Sequence, residues 1–220
     1  MTIRVLLVDD EVLVRDAVEN LLGAFEEIEV VGGRDNGAGI VEVALELRPD
    51  VVLMDLEMPV VDGIEATKAL RRMDAPPEVV VLTAWRREDA VLQSLEAGAS
   101  GFLEKRASPE EFRRAVRAAE EGDSFMSPRS TRELIESFTA DAKGSQQRRA
   151  RARIRALTPR ELEVAKLVPS GATNGEIGER LHLSPATVKQ YVSAIADKLG
   201  VTGRIQIATI LTRAGYGPDL

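Results

Sequence analysis

The chain has 220 residues, 44% hydrophobic and 30% charged, which is long enough for two globular domains but short for three. It contains no cysteine, so disulfides and thiolate metal sites are excluded. The net charge of −7 hides a split: residues 1–126 carry 27 acids and 14 bases, while residues 127–220 carry 9 acids and 15 bases. An acidic regulatory half joined to a basic half that meets a polyanion is the organisation this implies.

The N-terminus enters an apolar strand pattern within a few residues, without the features of a signal peptide, and no run approaches the ~20 apolar residues of a membrane span. A cytoplasmic protein without a membrane partner is the expectation. Val5-Leu6-Leu7-Val8 runs into Asp9-Asp10, and Val51-Val52-Leu53-Met54 runs into Asp55. Val79-Val80-Val81-Leu82 ends on Thr83, and Gly101-Phe102-Leu103-Glu104 ends on Lys105. Ile28-Val30-Val31 supplies a further short strand. Helical patterns over roughly 12–24, 37–47, 63–73, 87–97 and 108–121 separate and follow these runs, the last opening on a Ser108-Pro109-Glu110-Glu111 capping box. The alternation predicts an α/β fold, a doubly wound five-stranded parallel sheet.

In such a sheet the strand tips face one crevice, so Asp9, Asp10, Asp55, Thr83 and Lys105 converge. Adjacent carboxylates repel by roughly 4 kcal/mol at 4 Å and an effective dielectric near 20, and so need a cation. An all-oxygen donor set selects a hard ion, and Mg2+ fits best. Shielded by that ion, one carboxylate can attack phosphorus, and Asp55 stands alone where Asp9 and Asp10 come as a pair. Lys105 and Thr83 can then pair with phosphoryl oxygens. The competing explanation is that strand-end Asp and Thr residues merely cap the helices that follow, which suits one residue better than five in this order.

Beyond Gly122 the pattern changes. A helical segment at about 129–138 precedes Ala140-Asp141-Ala142-Lys143-Gly144-Ser145-Gln146-Gln147, a small and polar stretch that reads as a linker. Arg148, Arg149, Arg151, Arg153 and Arg155 follow, either as a solvated tether or as a strip touching DNA phosphate or the acidic half. Thr158-Pro159-Arg160-Glu161 and Thr173-Asn174-Gly175-Glu176 are capping boxes, and Ser184-Pro185 opens a third helix after a very short connection. Two helices so joined are a helix-turn-helix whose second helix enters the major groove. On it, Val188, Val192, Ile195 and Leu199 form one apolar face, leaving Lys189, Gln190 and Ser193 opposite. A fourth helix is expected over about 204–214. Gly175 and Gly178 weaken the second helix, by up to ~1 kcal/mol each.

Residues 1–122 resemble a response-regulator receiver domain, through Leu7-Val8-Asp9-Asp10-Glu11, Met54-Asp55-Leu56-Glu57-Met58-Pro59, Asp62-Gly63, Leu82-Thr83-Ala84, Ala97-Gly98-Ala99 and Gly101-Phe102-Leu103-Glu104-Lys105. The rest resembles a LuxR-type helix-turn-helix, through Leu157-Thr158-Pro159-Arg160-Glu161, Glu176-Ile177, Leu181, Leu183-Ser184, Thr187-Val188-Lys189, Val192, Lys198-Leu199-Gly200-Val201 and Arg204. The whole chain is thus similar to the NarL/FixJ family, with a receiver at 1–122, a helical segment and basic linker at 123–153, and a DNA-binding domain at 154–220. The resemblance implies that Asp55 accepts phosphate from a sensor histidine kinase, and that Asp9, Asp10, Asp55 and the Glu57 backbone carbonyl hold Mg2+. It implies that Thr83 and Lys105 read the phosphoryl group while Phe102 turns inward as the switch aromatic. It further implies that Lys189, Gln190 and Ser193 face double-stranded DNA, Thr187 reaches backbone phosphate, and the phosphorylated chain pairs as a homodimer through its last helix. Tyr191 and Ser193 depart from the commoner family residues. Trp85 and Glu57, each two positions past a site residue, either gate water reaching the acyl phosphate or sit in a loop or interface.

The expected function is therefore a phosphorylation-switched transcription regulator, not an enzyme beyond slow self-dephosphorylation. A phosphatase with an aspartyl intermediate wants a second Asp where Glu57 stands. A constitutive DNA-binding protein has no use for the complete set of five site residues.

Overall fold

The computed structural model describes residues 2–83, 88–125 and 144–216. Five strands, β1 (Ile3–Val8), β2 (Ile28–Arg34), β3 (Val51–Asp55), β4 (Glu78–Thr83) and β5 (Gly101–Glu104), form one sheet in the order β2-β1-β3-β4-β5. Every neighbouring pair is parallel. The apolar runs are continuous because both faces are covered: all five residues of β3 are buried. Alternate side chains split between two cores. Val5 and Leu7 pack with helices α1 (Val12–Leu22) and α5 (Pro109–Glu120), whereas Leu6 and Val8 pack with α2 (Ile40–Leu47) and α3 (Gly63–Leu70). Helix α4 (Glu88–Ala97) lies beside β4 and β5. The expected doubly wound sheet is present, and its order reverses between β1 and β3.

The second half is all helical: α6 (Gly144–Ile154), α7 (Pro159–Leu167), α8 (Asn174–Leu181), α9 (Pro185–Leu199) and α10 (Arg204–Ala214). The capping boxes at Ser108, Thr158 and Thr173 all form, and the Ser184 hydroxyl accepts from the Thr187 N–H. Val188, Val192, Ile195 and Leu199 are buried in one core with Ile177, Ile207 and Leu211.

Three local differences have physical causes. The helix expected from residue 37 begins at Ile40, because Gly39 takes a left-handed φ of 65° ahead of it. The segment expected at 129–138 lies outside the described residues. Residues 144–147, expected in a linker, begin α6. That helix buries Ala150 and Ile154, one turn apart, and its Arg151 and Arg153 donate to the carbonyls of Ala214 and Leu199 at the ends of α10 and α9. The arginine stretch is therefore partly a pair of C-terminal caps, while Arg149 and Arg155 stay exposed.

Gly178 does more than weaken α8. A Cβ there would lie 2.5 Å from the Leu183 carbonyl oxygen, and the Leu183 N–H donates to the Gly178 carbonyl at 2.8 Å. The tight turn into α9 closes over that glycine.

Candidate phosphoryl-acceptor site and nucleic-acid interface

The strand tips converge as the topology dictates. Asp9 follows β1, Asp55 ends β3, Thr83 ends β4 and Lys105 follows β5. One carboxylate oxygen from each of Asp9, Asp10 and Asp55 lies within 4.8 Å of the others. Lys105 Nζ stands 2.8 Å from Asp9 Oδ2, 3.2 Å from Asp55 Oδ2 and 3.3 Å from Glu11 Oε1. Asp9 is held rigidly: its Oδ1 accepts from the Glu11 N–H and its own N–H donates to Arg34. Asp9 and Asp55 are buried, whereas Asp10 and Glu57 are exposed at the mouth. Gly63 lets α3 start directly beneath Asp55, since any Cβ would collide with the Asp55 carbonyl.

Charge follows from that geometry. Burial raises the Asp55 pKa from 3.8 to about 6, against the pull of Lys105 and with help from Asp9. Burial alone would lower the Lys105 ammonium, but its hydrogen bond to Asp9 and the charges of Asp55 and Asp9 outweigh burial and raise its pKa. One ammonium thus faces three carboxylates. An acidic, all-oxygen cluster of this spacing could hold a metal ion, and its donors fit a hard dication rather than a thiophilic one. Trp85 lies outside the described residues.

The predicted DNA-facing residues sit on α9. Lys189, Gln190 and Ser193 are exposed, and the Thr187 hydroxyl is 2.8 Å from that of Ser184. Lys189 is also engaged by the first half: its Nζ donates to the Glu120 carbonyl at 2.5 Å. Beside it, Asn174 at the start of α8 donates its backbone N–H to Asp123 Oδ1 at 2.9 Å and its side-chain amide to the Glu121 carbonyl at 2.9 Å. Arg204 Nη1 lies 3.3 Å from Asp123 Oδ1. A second contact patch involves α10. Ile205 is buried with Phe102, Leu56, Val81, Leu95 and Ala99, and Gln206 donates to the Leu95 and Glu96 carbonyls. Arg71 donates to the Thr202 carbonyl.

Sequence reasoning missed Asp123, Asn174, Ile205 and Gln206 as functional residues and gave Arg204 no role. Nothing in their local pattern marks them, because each acts across the boundary between the two halves. Phe102, the expected switch aromatic, lies at this second contact patch. It is fully buried, enclosed in part by Ile205 from the DNA-binding half.

Comparison with known proteins defines the class. Residues 5–117 match the response regulator receiver domain, and residues 155–211 match the bacterial regulatory proteins of the luxR family. The transcriptional regulatory protein LiaR of Bacillus subtilis is 38% identical over 211 residues, covering 96% of this chain and 97% of LiaR. The nitrate/nitrite response regulator NarL of Escherichia coli is 32% identical, covering 93% and 92% of the two chains. Among solved structures, the response regulator ChrA of a heme-sensing two-component system superposes with a TM-score of 0.54 at 31% identity, covering 98% of each chain. The chain belongs to the NarL-type response regulators, with a receiver domain followed by a LuxR-type helix-turn-helix, and is a DNA-binding transcriptional regulator.

Proposed function

We propose that Asp55 is the phosphoryl acceptor and that its conversion to an acyl phosphate releases the helix-turn-helix from the receiver. The Asp55 carboxylate attacks the phosphorus of a phosphohistidine on a sensor kinase. The P–N bond breaks and the imidazole leaves, taking up a proton. Asp9, Asp10, Asp55 and the Glu57 carbonyl would hold Mg2+, which would supply charge neutralisation for an incoming phosphoryl group. Lys105, now shared between Asp9 and Asp55, is free to turn toward the new dianion, and the Thr83 hydroxyl donates to it. Slow self-hydrolysis then resets the site.

The observation that carries this reading is that the switch face is also the docking face. Thr83 and Lys105 flank β4 and β5, and Val81 and Phe102 of those strands pack on Ile205. Rearrangement at the strand tips therefore loosens α10, and with it the grip on Lys189. Once free, Thr187, Lys189, Gln190 and Ser193 face double-stranded DNA, and a homodimer matches paired half-sites. A cytoplasmic location accords with these partners. No helix among the described residues is long and apolar enough to cross a membrane.

The test is labelling with acetyl phosphate followed by mass spectrometry. Wild-type protein gains one phosphoryl group, phosphorylated chains dimerise, and Asp55→Asn does neither. Phosphate-dependent dimers in Asp55→Asn would overturn the assignment.

A further inference from the structure

The contact that holds Asp123 has the chemistry of an anion site. Asp123 lies just past α5, where its N–H donates to the Ala118 carbonyl at 2.7 Å and Gly122 takes a φ of 77°. Two residues on, the Phe125 carbonyl accepts from Phe102 at 2.8 Å and pins the segment to β5. The receiver therefore presents one carboxylate, flanked by the α5 carbonyls of Glu120 and Glu121, as a rigid negative knob.

The pocket receiving this knob belongs wholly to the DNA-binding half. Asn174 is the first residue of α8, and its N–H has no partner within the helix, because Thr173 Oγ1 serves Glu176 instead. Arg204 is only 8% exposed. Its guanidinium is fixed by the Asn174 side-chain oxygen at 2.7 Å and by the Ala172 carbonyl. Both of these bonds lie within the DNA-binding half, apart from the ion pair with Asp123. With the receiver withdrawn, the Arg204 guanidinium and the Asn174 N–H lose their shared acceptor, Asp123 Oδ1, while the Asn174 amide and the Lys189 ammonium lose the neighbouring carbonyls of Glu121 and Glu120. A guanidinium that is buried in the closed chain and loses its carboxylate there favours a replacement anion.

We infer that this pocket is a DNA backbone phosphate site, and that Asp123 occupies it in the closed chain as a phosphate stand-in. The inference rests on the DNA-binding reading above and deepens it. Helix N-termini and arginine are standard ligands for DNA phosphate, and the first helix of a helix-turn-helix crosses the backbone. Lys189 belongs to the groove-facing helix and shares the knob, so one duplex can replace Asp123 and the α5 carbonyls together. The receiver thus competes with DNA for the same donors, beyond obstructing the groove helix.

The test uses the full chain and a duplex of random sequence, with affinity read by fluorescence anisotropy between 50 and 200 mM KCl. Asp123→Asn without phosphorylation binds about tenfold more tightly than wild type. In the Asp123→Asn background, Arg204→Met lowers the slope of log K against log salt by about 0.9, the value of one phosphate, while Arg204→Lys retains it. Because Arg204 also ties Ala172 and Asn174, Asn174→Asp in the same background is the companion variant. It keeps an acceptor for Arg204 and a good helix start, yet repels phosphate, so affinity falls about tenfold. If Asp123→Asn binds as wild type does, or if Asn174→Asp and Arg204→Met bind as their Asp123→Asn parent does, the phosphate site is wrong while DNA binding stands. If phosphorylated wild type binds no duplex at all, the DNA-binding reading falls and takes the site with it.

Discussion

Ile205, the second residue of α10, is buried in the same apolar cluster as Phe102 of β5. The side chain belongs to the DNA-binding half but lies outside that half's own core, so its burial stabilises the closed arrangement alone. Removing a buried isoleucine side chain to Ala costs about 2–5 kcal/mol where the site cannot collapse. Ile205→Ala is therefore expected to bind DNA at least tenfold more tightly than wild type before phosphorylation, with little change afterwards. Anisotropy titrations of both forms check this, and equal affinities before phosphorylation would remove Ile205 from the coupling.

Lys189 donates to the Glu120 carbonyl in the closed chain, and in the proposed open chain the same ammonium turns to DNA. Lys189→Ala is expected to weaken binding by the phosphorylated chain and to lower its salt slope by about 1. In the unphosphorylated chain the same change also loosens the clasp, so the net loss there is smaller. A loss of equal size in both forms would mean that the contact with Glu120 contributes nothing to closure.

The Asp55 carboxyl gives a pH signature to the metal-free protein. Its folded pKa is raised to about 6 from 3.8. The folded state therefore binds the proton more tightly, and this stabilising contribution is complete below the unfolded value and lost as pH rises through the folded one. Asn at this position has no such loss. Asp55→Asn should accordingly be more stable than wild type above pH 6, by roughly 1–3 kcal/mol, with the advantage vanishing toward pH 4. Thermal melts in EDTA at pH 4, 5, 6 and 7.5 test this, and a difference independent of pH would refute it.

A dication at the same cluster would offset the repulsion of Asp9, which adds to burial in raising the Asp55 pKa. Millimolar Mg2+ should raise the melting temperature of wild type at pH 7.5, by an amount that grows with the logarithm of concentration above Kd. Asp9→Asn or Asp10→Asn should abolish most of that rise, and EDTA should reverse it in wild type. A Mg2+ response that survives both substitutions would place the ion elsewhere.

The strand tips were legible because a parallel sheet buried on both faces leaves a simple trace: apolar runs that stop on polar residues at one edge. The capping boxes at Ser108, Thr158 and Thr173 were legible for a related reason, since their partners lie three residues away. The grip of Asp123 on Asn174 and Arg204 was not, because Asp123 is 51 or more residues from either partner in sequence and each looks ordinary where it stands. Gly178 read as a poor helix former because propensity ignores what the next turn must approach. Helix α6 was hidden by composition: among its described side chains only Ala150 and Ile154 are buried, along a strongly basic stretch, so the apolar periodicity is too sparse to read.

That last element makes a prediction of its own. Ile154 is buried in the core of the DNA-binding half, and the neighbouring Arg153 and Arg151 close the carbonyl ends of α9 and α10. If α6 is an integral part of that core, Ile154→Ala should destabilise this half by about 2–4 kcal/mol. A solvated tether would tolerate the same change within about 0.5 kcal/mol. Loss of the Arg153 cap alone should cost less, about 1 kcal/mol, the net worth of a single part-buried hydrogen bond. Urea denaturation followed by the fluorescence of Tyr191 and Tyr216, which border this core, separates the two cases. An unshifted midpoint for Ile154→Ala would return residues 144–154 to the role of a linker.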